Sequence, residues 1–180
     1  MLITIREAVL ADAAGIARVH VESWRTTYPG IMPQEHLDAL SVTERTETWQ
    51  GRLSPGSGEF TIVAAEDGEI VGFTNGGKDR NGGPNWQGEI YTLYLLKSQQ
   101  GRGIGRRLLQ AAARRLHADG YSTLFLWVSA LNHPAQAFYE AIGGVPVRTG
   151  QRTNHGITYD DIGYGWDKAA LRRLIEENSC

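Results

Sequence analysis

Cysteine is nearly absent: the only one in 180 residues is the terminal Cys180. A lone cysteine excludes an intramolecular disulfide and is ordinary for a reducing cytoplasm, where this chain is expected to work. Nothing fixes the geometry of a chain-end thiol, so Cys180 is no candidate nucleophile. Long apolar runs are missing too: none approaches the ~20 residues of a membrane span. The N-terminus, Met-Leu-Ile-Thr-Ile-Arg-Glu, has no basic region before a long apolar core, and no secretory leader is expected. Charge of one sign is also scarce. A net charge of −2 gives no support for bulk nucleic-acid binding. His20, His36, His117, His133 and His155 form no i, i+4 pair and have no cysteine neighbour, so no metal site is expected. No serine sits in Gly-x-Ser-x-Gly, and hydrolysis through an acyl-enzyme is not indicated. What remains is an ordinary soluble composition, 41% hydrophobic and 21% charged, long enough for one well-buried domain.

The pattern of apolar residues divides this chain into short elements. Leu2–Arg6 reads as a first strand, and Asp12 as the cap of a helix running to about Thr27 with Ile16, Val19, His20 and Trp24 on one stripe. A second helical region runs from Gln34 to about Trp49, broken near Ser41. Phe60–Ala65 and Ile70–Gly76 flank Asp67-Gly68, a hairpin signal. Asp79–Gln87 reads as an exposed loop and Glu89–Leu96 as a strand. A strongly amphipathic helix follows, with Ile104, Leu108, Ala112 and Leu116 four apart and Gly120 as its end. Thr123–Val128 is continuously apolar, as a central strand should be. Pro134–Ile142 is a short helix, Val145–Arg152 and Ile157–Trp166 are closing strands around Thr153–Gly156, and Lys168–Glu177 is a last helix. The order predicts an α/β fold with a mixed sheet.

Between the Glu89–Leu96 strand and the amphipathic helix lies Gln100-Gly101-Arg102-Gly103-Ile104-Gly105. Three glycines in five positions make a turn whose N–H groups can face one way at a helix start, a setting for a diphosphate. A glycine-capped turn without ligand is the plain alternative. A P-loop is excluded because Arg106 and Arg107 follow Gly105, and the dinucleotide fingerprint fails because its third glycine slot holds Leu108 or Arg106. Gln100, Gly103 and Gly105 match Gln/Arg-x-x-Gly-x-Gly/Ala, which resembles the coenzyme A pyrophosphate loop of the GCN5-related N-acetyltransferase (GNAT) superfamily. A second segment, Asn132-His-Pro-Ala135-Gln-Ala-Phe138-Tyr139-Glu140-Ala-Ile-Gly143, is similar to that family's Asn-x-x-Ala-x-x-Phe-Tyr-Glu-x-x-Gly signature.

The resemblance covers roughly Thr61 to Trp166 well. It implies a single domain over residues 1–180: a strand plus acceptor-side helices over 1–58, the central sheet with the pyrophosphate loop over 59–130, and a C-terminal half over 131–180. It implies a central mixed sheet of about seven strands flanked by helices and splayed between the fourth and fifth strands. It also implies acetyl-CoA as acyl donor. Pyrophosphate would meet the turn formed by Gln100, Gly101, Arg102, Gly103, Ile104, Gly105 and Arg106, with the Arg102, Arg106 and Arg107 side chains as further phosphate candidates. The pantetheine arm would meet the backbone of Tyr94, Leu95 and Leu96 and the amide of Asn132, an asparagine that equally suits a turn before Pro134. Tyr139 matches the tyrosine that protonates the leaving thiolate. Glu89 stands where some members place a general base acting through water, and an exposed strand-end glutamate would look the same.

The acceptor side is less defined. Trp24, Tyr28, Glu89 and Tyr159 are the candidates to meet it, with Glu22, Arg25 and Tyr164 nearby in the same segments, and core packing is an alternative for Trp24. The string from His20 to Pro33 resembles a recurrent N-terminal pattern among bacterial members of unassigned substrate. The expected activity is acetyl transfer to a primary amine of a small molecule or peptide, without metal, nucleic acid or membrane. The alternatives are a non-catalytic coenzyme A-binding protein, or an O-acyl or longer-acyl transferase. Homodimerisation is a habit of the family.

Overall fold

A computed structural model describes residues 2–80, 83, 85–154 and 156–176. Cys180, Glu177, His155 and the Asn81, Gly82 and Pro84 part of the loop lie outside the described residues. The strands are β1 (Ile3–Glu7), β2 (Glu59–Glu66), β3 (Glu69–Lys78), β4 (Gly88–Leu95), β5 (Leu124–Ser129), β6 (Val145–Asn154) and β7 (Ile157–Trp166). The helices are α1 (Ala13–Thr27), α2 (Gln34–Asp38), α3 (Val42–Arg52), α4 (Ile104–Ala118), α5 (His133–Ala141) and α6 (Lys168–Glu176). The seven strands form one mixed sheet in the order β1-β2-β3-β4-β5-β7-β6. Only a crossover can join parallel neighbours, and α4 supplies it between β4 and β5. Among the described residues no helix is long and apolar enough to cross a membrane.

The chain divides into two compact units, Met1–Gly76 with Thr92–Ala112, and Gly77–Tyr91 with Ala113–Cys180. In the first, Ile16, Ala17 and Val19 of α1 pack with Trp49, Val63, Ala65 and Phe73, all buried. The β2–β3 hairpin turns on Asp67 (φ 49°) and Gly68 (φ 91°), both left-handed as a two-residue hairpin of this twist demands. Ser41 caps α3, its hydroxyl accepting the Glu44 N–H at 3.3 Å. Asp12 does not cap α1 with its side chain. That carboxylate instead accepts the Val9 N–H (2.8 Å) and two hydrogen bonds from Arg6 (2.6 and 2.9 Å), tying β1 to the turn before α1.

In the second unit β5 is buried on both faces. Leu124 and Leu126 pair with Trp166 and Tyr164 of β7, while Phe125 lies opposite Gly165. Between Pro146 and Arg148 the β6–β7 register slips by one residue, a bulge beginning at a residue with no N–H to donate. Trp166, fully buried, donates Nε1–H to the Ile142 carbonyl at 3.0 Å and closes α5 onto β7.

Gly144 follows that contact so closely that a Cβ would sit 2.5 Å from Trp166 Cζ2 and 2.9 Å from the Tyr139 carbonyl oxygen. Gly144→Ala is therefore predicted to destabilise by about 1–3 kcal/mol, since neither a buried indole nor backbone yields cheaply. Thermal unfolding should fall by roughly 2–4 °C per kcal/mol. An unchanged Tm would show that α5 is not wedged against Trp166.

Candidate active site

Gly88, Glu89 and Ile90 pair in parallel with Leu124, Phe125 and Leu126, and β4 runs on to Leu95. Leu95 crowds Gly72 beside Leu108 of α4. The Tyr94 ring lies 5.0 Å from that of His20. Leu96 lies past the strand end and uses both its backbone groups internally. Its N–H donates to the Val71 carbonyl (3.0 Å) and its carbonyl accepts from Gln99 (2.9 Å).

The chain then enters the glycine turn. Gly101 (φ 75°) and Gly103 (φ 76°) are left-handed, and no heavy atom lies within 4 Å of where a Cβ would stand on either. Helix α4 begins at Ile104, fully buried, and the first intrahelical bond runs from the Arg107 N–H to the Gly103 carbonyl at 3.1 Å. The N–H groups of the first turn thus precede any helical acceptor and carry the positive end of the helix dipole. A bare, left-handed turn ahead of such a terminus fits a diphosphate by its own geometry.

The arginines of this turn serve the protein first. Arg102 donates to Glu66 at 2.8 Å and to Gln99, which itself donates to Glu66 at 2.9 Å. This hydrogen bond from Arg102 holds the Glu66 carboxyl below its usual range and braces the turn against the end of β2. Arg107 donates to the Ile3 carbonyl of β1 at 3.0 Å. Gln100 approaches the Leu95 carbonyl at 3.5 Å.

In the second unit Tyr139 is buried on α5, its ring centroid 5.2 Å from Phe138, 6.0 Å from Tyr164 and 6.2 Å from Trp166. Tyr164 donates to Glu140 at 2.7 Å, and burial together with that bond pushes its hydroxyl up to about 12. Asn132 is the α5 N-cap: Oδ1 accepts the Ala135 N–H at 3.3 Å, leaving its amide nitrogen as donor. Tyr159 is buried on β7 beside the Arg152 guanidinium. Glu89 is not an exposed strand-end group. It is 1% exposed, and its oxygens accept the Arg80 N–H (2.9 Å) and guanidinium (3.0 Å). Arg80 in turn stacks 3.8 Å over the Tyr91 ring. A buried carboxylate needs such a partner, and no residue pattern advertised Arg80 as the one.

On the acceptor-side helix, Trp24 is buried and Tyr28 half-buried, their rings 5.2 Å apart. Arg25 is consumed in closing the α2 end, donating to the Leu37 and Leu40 carbonyls at 3.1 and 2.9 Å. Glu22 is an exposed partner of Arg18. His20 is the residue whose weight the sequence hid. Its Nδ1 accepts the Trp49 indole N–H at 3.3 Å, while Nε2 is buried without a partner. Burial first, and the charges of Arg45 and Arg52 after it, push this imidazole down to about 3. The sequence signal was its place four residues before Trp24 on the same stripe. Among the described residues no three His, Cys, Asp or Glu side chains gather as a cation site would need.

Residues 18–144 match the Acetyltransferase (GNAT) family model. The chain is 37% identical to the uncharacterized N-acetyltransferase YuaI of Bacillus subtilis over 97% of its own length and 99% of that protein's. It is 31% identical to the probable N-acetyltransferase Rv2775 of Mycobacterium tuberculosis over 77% of each. Among solved structures, the PaiA N-acetyltransferase of Thermoplasma acidophilum in complex with coenzyme A superposes with a TM-score of 0.74, covering 93% of this chain and 99% of that one at 23% identity.

The His20 environment sets an acid limit on stability. A histidine whose folded pKa lies below its unfolded value of ~6.5 takes a proton more readily unfolded, so its penalty is absent above pH 6.5 and grows as pH falls towards 3. Between pH 7.5 and pH 5 it should remove about 2 kcal/mol. Urea titrations at the two pH values should show that loss, and His20→Phe should abolish most of it. An equal acid slope in the variant would mean that His20 does not titrate as its burial requires.

Proposed function

The chain belongs to the GNAT acetyltransferase family, and we propose that it moves an acetyl group from acetyl-CoA to a primary amine by direct attack within a ternary complex. The observation that carries this reading is the end of β4. The strand passes within a few residues into a bare glycine turn on a helix N-terminus. Strand backbone suits the amides of a pantetheine arm, and the turn suits two linked phosphates. The coenzyme A complex of the Thermoplasma relative agrees with that assignment. The whole chain acts as one acetyltransferase domain.

Acetyl-CoA, when bound, supplies an activated thioester. Backbone donors from Gly101 to Arg106 hold its phosphates, with Arg102 locked to Glu66 so that the turn keeps its shape. Tyr94 and Leu95 face the arm with their main chain, and Asn132 offers its amide nitrogen. A backbone N–H aimed at the thioester oxygen stabilises the charge that develops there. Tyr139 supplies the proton that the departing sulfur needs, a phenol being a weak acid of the kind that can protonate a thiolate. Glu89, oriented by Arg80, receives the amine's proton through a bridging water. Trp24, Tyr28 and Tyr159 meet the acceptor. A coenzyme A-binding protein without turnover is the second reading, and retention of both Tyr139 and Glu89 weighs against it.

Thiol release from acetyl-CoA, measured across a panel of amines, amino acids and peptides, tests the activity. Tyr139→Phe should lower kcat by ~10–100-fold, the low end of general-acid effects, with coenzyme A affinity unchanged in calorimetry. An unaltered kcat would remove Tyr139 from the reaction. Glu89→Gln should lower kcat by ~10-fold or more near neutral pH and leave the KM for acetyl-CoA within twofold. A full rate in that variant would reduce Glu89 to an anchor for Arg80.

A further inference from the structure

His20, Ser23 and Trp24 lie at i, i+3 and i+4 on α1 and therefore share one helix face. All three are buried, at 7%, 2% and 9% exposure. Each holds a polar atom without a hydrogen-bond partner: His20 Nε2, Ser23 Oγ and Trp24 Nε1. Thr92 Oγ1 on β4 is in the same condition. Buried polar groups are nearly always paired, so neighbouring orphans on one face ask for a missing partner.

The chemistry of that partner can be read from the donors. Trp49 can only donate to His20 Nδ1, so the imidazole proton stands on Nε2. His20 Nε2–H and Trp24 Nε1–H are both donors with no capacity to accept, on rings 5.5 Å apart. The Ser23 hydroxyl can donate a further hydrogen. An ammonium has nothing to offer the imidazole and indole N–H groups, whereas a carboxylate presents about four lone-pair positions. The two nearest cationic influences on the imidazole, Arg45 and Arg52, favour a negative guest as well. Tyr94, its ring 5.0 Å from that of His20 and 6.4 Å from that of Trp24, links the set to the strand assigned to the acyl donor.

We propose that His20 Nε2–H and Trp24 Nε1–H bind a carboxylate oxygen of the acyl acceptor, so that the acceptor is a small amine bearing a carboxylate, as free amino acids do. The assignment of this carboxylate to an acceptor rests on the acetyltransferase reading. The polar atoms are sealed from solvent, so entry requires the side chains around them to move.

Two measurements separate this inference from the reading beneath it. In the first, the ¹⁵N-labelled protein with coenzyme A is titrated with each of the twenty free amino acids and with their decarboxylated amines. The Trp24 indole N–H peak, identified by its loss in Trp24→Phe, should shift saturably with one or a few amino acids and not with the matching amines. No saturable shift with any amino acid, or equal shifts with the amines, overturns the proposal. In the second, kcat/KM for the responding amino acid should exceed that for its amine by about tenfold or more, and Trp24→Phe should erase most of that ratio through KM. Circular dichroism should show the variant folded, since phenylalanine keeps the ring and removes an unpaired donor. Turnover of amines with no carboxylate preference would refute the inference and leave the acetyltransferase standing. A carboxylate-specific shift without any turnover would do the reverse.

Discussion

A turn stripped of side chains at a helix start is the constraint on which the rest depends. Strand β4 ends at Leu95 and the chain passes into Gly101 and Gly103, both left-handed, and the open end of α4. The N–H groups there precede any helical acceptor and stand at the positive end of the helix dipole. A turn crowded with side chains would keep a diphosphate from reaching them.

Charged side chains around this strand mostly secure the backbone. Glu66 and Gln99 hold Arg102, Ile3 receives Arg107, and Arg80 neutralises the buried Glu89. Such an arrangement fits recognition by main-chain donors, which are fixed in direction once the turn is braced. A guanidinium engaged with a carboxylate contributes shape to the turn more than charge to a ligand. On the buried face of α1, by contrast, His20 Nε2 and Trp24 Nε1 lack a hydrogen-bond partner, and both are donors.

The order of elements, the hairpin at Asp67-Gly68, the Ser41 cap and the glycine turn were all legible because each rests on local rules of periodicity and backbone freedom. The splay was expected only from the resemblance, since apolar residues in β4 and β5 say that both strands are buried and not where their pairing stops. Asp12 was misread because a helix-capping residue also makes a good partner for an arginine, and Arg6 lies six residues before it in the chain. Arg80 as the partner of Glu89, and Trp49 as the donor that fixes the His20 tautomer, were invisible. Those contacts join loop to strand and α3 to α1, and only tertiary packing decides them.

Amide hydrogen exchange, followed residue by residue with and without saturating coenzyme A, addresses the strand end and the glycine turn directly. Exchange at Tyr94, Leu95 and Gly101 to Arg106 should slow by about tenfold or more, as ligation of those groups demands, while β1 and β2 stay unchanged. Uniform exchange in the two samples would contradict the account, because the turn would then be serving no ligand of this kind.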